Sequence, residues 1–172
     1  MLLKYPITIL LFWVFAVLQN SFLPYFNIFG QIPNLVFILF FILVFSENPQ
    51  EHYYGFFLVI LAGFLLDVFS SFYLGISIIS LLVLYFLIKI TNHFFQKSET
   101  KYAVFYFFSV FSLCFVLYYV LLYVLSLLFH SGFIFTLDIV IGLIYNITVA
   151  WLVFFIYKKF ININNNNQLK LF

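Results

Sequence analysis

The chain has no arginine, and its 172 residues include only seven lysines, five acids and three histidines. Charged residues make up 7% of it, against about 25% in water-soluble domains. That leaves no polar shell for a soluble fold and no basic footprint for nucleic acid. A single cysteine, Cys114, excludes an intramolecular disulfide and a cysteine metal cluster. It lies in an apolar run and reads as an inert buried thiol. Glycine-rich phosphate loops are absent, as is any suggestive serine, histidine and acid string on one side of the chain. His52 and His93, near Glu47 and Glu51, show no repeating ligand spacing. We therefore expect no catalytic residues, no cofactor and no metal.

What the chain has in quantity is apolar side chains, at 67% of residues. Six bilayer-crossing helices of about 20 residues need roughly 120 predominantly apolar positions, close to two thirds of this length. The predicted fold is an all-α integral membrane bundle of six transmembrane helices with short loops, covering residues 1–160. An Asn-rich tail over 161–172, with its asparagine run at Asn162–Gln168, reads as disordered. The spans are expected at Tyr5–Leu23, Leu35–Phe45, Tyr53–Ser70, Gly75–Ile90, Tyr102–Phe129 and Asp138–Tyr157, with Thr91–Lys101 as an exposed loop. The segment after Lys4 is long and lacks an A-x-A-like site, so it reads as a retained first span. Pro33 is expected in the first turn of the second span, where a missing N–H does no harm.

Six spans place both termini on one side, together with the second and fourth connections. Lys4, Lys89, Lys97, Lys101, Lys158, Lys159 and Lys170 all fall on that side, which the positive-inside rule makes cytoplasmic. Were the short second segment re-entrant, the loop with three lysines would move outside while Lys4 stayed inside. The lysines thus select an N-in/C-in, multi-pass membrane protein with six spans.

An acid within a span is a functional candidate by default. Asp67 lies near the outer end of the third span, where the start of the fourth returns beside it. Free N–H groups there favour a carboxylate, so Asp67 reads as a hairpin-fixing acid before an ion-coupling or ligand-contacting one. Asp138 suits an N-terminal cap of the sixth span. Asn146 and Thr148, Ser77 and Ser80, and Ser109 and Ser112 are candidates for hydrogen bonds between helices. The sequon Asn146-Ile147-Thr148 lies within a span and carries no glycan. Gly55, Ala62 and Gly63 share one face, marking the third span as a central packing or partner helix. Of the 29 Phe and 13 Tyr, most are expected against lipid or between helices.

Two stretches go further: Pro33-Asn34-Leu35, and Ala62-Gly63-Phe64-Leu65-Leu66-Asp67-Val68-Phe69-Ser70-Ser71 followed by Leu74-Gly75-Ile76-Ser77. This pattern, within Pro33 to about Lys89, resembles the MreD family of bacterial rod-shape-determining proteins. Asn34 stands where that family commonly has an acid. The resemblance implies a non-enzymatic subunit of the cell-elongation machinery. Its partner would be an MreC-like single-span protein, with indirect links to an MreB-like cytoskeleton and the peptidoglycan synthases. It also implies that Pro33, Asn34, Gly63, Asp67, Ser70, Gly75 and Ser77 belong to the interaction scaffold. The alternative is a substrate-binding component similar to those of energy-coupling-factor vitamin transporters. Against it, the first span has only Ala16 where those components carry spaced small residues.

The topology is open to direct measurement. In a Cys114→Ala background, a membrane-impermeant thiol reagent on intact cells should label Asn27→Cys and Ser131→Cys and spare Ser98→Cys. External labelling of Ser98→Cys would overturn the lysine argument and the span count together.

Overall fold

The computed structural model describes residues 4–47, 52–70, 73–95, 103–129 and 138–168. Among them the chain is all-helical, without strands: α1 (Lys4–Ser21), a 3-10 turn (Leu23–Phe26), α2 (Leu35–Phe45), α3 (His52–Val68), α4 (Ile76–Phe95), α5 (Ala103–Phe129) and α6 (Asp138–Gln168). Two stretches, Phe105–Phe129 and Ile139–Ile156, are long and apolar enough to cross a membrane.

The middle of the bundle is α2, not α3. Its eleven residues are almost wholly buried, from Val36 to Ile42 and again at Val44. α1, α3, α4 and α6 all pack against it. On its remaining side Phe37, Phe41 and Phe45 interleave with Phe107, Phe111 and Phe115 of α5, ring centroids 5.1–5.9 Å apart. Such pairs add about 0.5–1.5 kcal/mol each beyond burial. A run of Leu, Val, Ile and Phe without polar interruption can be covered on every side, and only a short helix can be so enclosed. α3 by contrast leaves a stripe of Tyr53, Phe56, Ile60, Phe64 and Val68 exposed, at helical spacing.

The expected common face of Gly55 and Gly63 is turned to α4. A Cβ on Gly63 would lie 2.6 Å from the Ile78 Cα, and one on Gly55 would overlap the Tyr85 ring. These two positions let α3 and α4 approach more closely than any side chain would permit.

Several boundaries differ from expectation. Pro33 is not in the first turn of α2, because Asn34 takes the N-cap position and leaves Pro33 in the preceding loop. α4 continues past Ile90 to Phe95, and Thr91 Oγ1 donates to the carbonyls of Leu87 and Ile88 along the added turn. α6 carries its helical backbone through the Asn162–Gln168 run expected to be disordered. No proline or glycine follows Gly142 to stop it. The rest of the expected loop, 96–101, and the tail residues 169–172 lie outside the described residues, as do Ser71 and His130.

Gly63→Ala should lower stability by about 1–3 kcal/mol, the usual range for overpacking a tight contact. Unfolding of the purified protein in mixed detergent micelles measures this, and an unchanged midpoint would mean that α3 and α4 have room to separate.

Candidate functional site

Polar groups gather at one end of the bundle, and each meets a backbone need created by a helix start. α4 begins at Ile76 without a side-chain cap of its own, so its first N–H groups look elsewhere. Asp67 of α3 supplies both oxygens: Oδ2 accepts from the Gly75 N–H at 2.6 Å and Oδ1 from the Ser77 N–H at 2.9 Å. The carboxylate is 2% exposed, and the positive end of α4 favours its charge. Gly75 makes the approach possible with a φ of +106°, a region that only glycine enters freely. Ser70 closes the end of α3, its N–H and Oγ both donating to the Asp67 carbonyl. Below the carboxylate the Ser77 Oγ meets the Tyr118 hydroxyl of α5 at 3.4 Å.

A second knot holds the start of α2. The Asn34 side chain accepts from the Phe37 N–H at 2.9 Å, an N-cap in the ordinary sense. Gln19 of α1 accepts from the Val36 N–H at 3.2 Å, and Asn146 of α6 accepts from the Asn34 N–H at 2.7 Å. Asn146 is buried and held by its own Nδ2, which donates to the Gly142 carbonyl. Three carboxamides, one from the cap position itself and one each from α1 and α6, thus converge on one helix start.

Between the two knots lies a cavity of about 220 Å³, lined by Gln19, Asn20, Asn34, Ser77, Tyr118 and Tyr119 with apolar walls from Val36, Leu65, Leu66 and Leu122. Asp67, Ser70, Gly75, Ser77, Asn34 and Asn146 are therefore brought to one end of the bundle. Gly63 lies one turn from Asp67, at the close approach of α3 and α4. Gly55 lies further along α3, and Asp138 is the first residue of α6. Ser80, Ser112 and Thr148 do not bridge helices. Each hydroxyl returns to the carbonyl four residues earlier on its own helix.

Sequence reasoning did not find Gln19 and Asn20 as site residues. Their signal was a pair of carboxamides closing an apolar helix, read there only as its end. It also did not find the ion pair at the opposite end of the bundle. Lys89 Nζ lies 2.7 Å from Glu47 Oε2, with the side chains 19% and 0% exposed. The approach misses hydrogen-bonding angles, so charge alone holds it. The buried Tyr85 hydroxyl beside it has no hydrogen-bond partner among the described residues. Those residues hold no group of three His, Cys, Asp or Glu side chains placed for a metal ion.

No family model matches the chain, and no curated protein or solved structure does either. The chemistry of this end is therefore read from its geometry. Two oxygens that each accept a backbone N–H tie the end of α3 to the start of α4 and hold the two helices in register.

Asp67→Asn keeps one acceptor but turns an amide donor toward a backbone N–H, so it should lose one charge-assisted bond and about 1.5–3 kcal/mol. Asp67→Leu loses both and should be clearly more damaging, with Gly75→Val close to it. Membrane accumulation and unfolding midpoints of the three variants check the order. An Asp67→Asn protein that is as stable as wild type yet wholly inactive would show that the charge itself is required.

Proposed function

We propose that the chain is a non-enzymatic, six-span subunit of the bacterial cell-elongation complex in the cytoplasmic membrane. It scaffolds an MreC-like single-span partner and, through it, the peptidoglycan synthases. The observation that carries this reading is the Asp67 knot. The residues on which the MreD resemblance rests, from Gly63 through Asp67 and Ser70 to Gly75 and Ser77, are the ones that fasten α3 to α4. A motif spent wholly on fixing helix geometry suits a scaffold.

Six spans draw support from polarity turned inside out. Ile7, Leu10, Trp13, Ile60, Leu113, Leu127 and Ile144 are more than half exposed, while Thr8, Asp67, Ser77, Ser80, Ser126 and Asn146 are buried. Lipid, unlike water, accepts that surface. α1, α3 and α4, with 18, 17 and 20 residues, reach about 25–30 Å at 1.5 Å per residue, near the hydrocarbon thickness. α2 reaches only about 17 Å. However, it starts against Asn146, eight residues and about 12 Å along α6. The loop before it is exposed over Pro24–Gly30, half-buried at Gln31 and Ile32 and buried at Pro33 as it enters α2.

Depletion in a rod-shaped host should cause rounding, and the tagged chain should co-purify with a single-span MreC-like protein. Co-purification instead with a nucleotide-binding cassette, together with tight vitamin binding, would replace this reading by the transporter component. The cavity beside Asn34 is the feature that keeps that alternative in view.

A further inference from the structure

The polar lining of the cavity is not exhausted by packing, and the free end of each amide is fixed. Gln19 turns Oε1 to the Val36 N–H and Asn34 turns Oδ1 to the Phe37 N–H. Each therefore leaves its NH₂ group as a donor, without a protein partner among the described residues. Asn20 is set the other way. Its Nδ2 donates to the Ala16 carbonyl at 2.8 Å, which leaves Oδ1 to accept. Val36, Leu65 and Leu122 supply apolar wall between these groups.

Among the described residues no lysine, histidine or acid lines the space. Asp67, behind Ser77, has each oxygen already taken by a backbone N–H. An anion would meet no positive partner and a nearby negative charge, and a cation would meet no carboxylate. The fitting chemistry is neutral, with groups that both accept and donate, alternating with C–H surface. Hydroxyls on adjacent carbons have that character. At about 220 Å³ the cavity is below the roughly 300–1,000 Å³ of sites for drug-sized ligands, which limits it to one small moiety.

We infer that this cavity binds an uncharged polyol group, a sugar ring or glycerol, through Gln19, Asn20 and Asn34. Such a group comes either as a lipid headgroup or as a free solute, and the inference holds whichever complex the protein serves. The full chain, purified in lauryldimethylamine oxide to avoid sugar-headed detergent, is titrated with monoglucosyldiacylglycerol, with phosphatidylcholine, and with free glucose and glycerol, and bound species are counted by native mass spectrometry. The glucosyl lipid should bind at least tenfold more tightly than phosphatidylcholine, or a free polyol should bind and compete. Competition by glucose or glycerol identifies a soluble ligand, and lipid preference without competition identifies a headgroup. Gln19→Glu keeps an oxygen for the Val36 N–H while removing the donor. Leu122→Phe fills the space without touching the amides. Each should abolish the preference while phosphatidylcholine binding stays unchanged. If one variant fails to accumulate, the other decides. Equal binding of the two lipids with no binding of free polyol, or a preference intact in the variants, would overturn the inference.

Discussion

A helix that starts where water does not reach must find oxygens for its first N–H groups inside the protein, and this chain meets that need twice with side chains from elsewhere in the sequence. α4 takes both oxygens of Asp67, and α2 takes one oxygen each from Asn34, Gln19 and Asn146. The rest of the bundle follows from these two knots. With its start fixed by α1 and α6, α2 has its rings set at the height of α5. With α4 tied to α3 at Asp67, the two helices run close enough for Gly63 to meet Ile78. The other end of α2 is bound in the same manner, its Phe45 carbonyl accepting from Asn92 Nδ2, whose Oδ1 accepts from Tyr106.

Much of this was legible in the sequence. Apolar run lengths gave the helices, and an acid four residues from a helix end beside a tight connection pointed to a cap across the hairpin. The face shared by Gly55 and Gly63 was visible in their spacing. What escaped was everything that depends on which distant segments meet. Asn34 and Asn146 are 112 residues apart, and no local pattern pairs them. The central place of α2 was hidden because an all-apolar segment looks the same against lipid as against protein. Ser80, Ser112 and Thr148 misled because a hydroxyl in an apolar helix has a ready acceptor in its own preceding turn.

The Glu47 and Lys89 pair shows a different economy. Both charges sit at the lysine-bearing end, and Glu47 is fully enclosed. Removing either partner would strand the other, typically at a cost of about 3–5 kcal/mol. The pair joins the segment just after α2 to the last third of α4, so α2 is fastened to its neighbours by amides at both ends and, at the later one, by charge as well.

The Asp67 bonds also bear on the order of events during synthesis. The two N–H groups that neutralise the carboxylate lie eight and ten residues further along the chain, so they leave the ribosome after it. Until they arrive, α3 is a segment with an open charge near its trailing end, and only the emergence of the start of α4 gives that charge its partners. The fastened hairpin of α3 and α4 can therefore be complete before α5 exists.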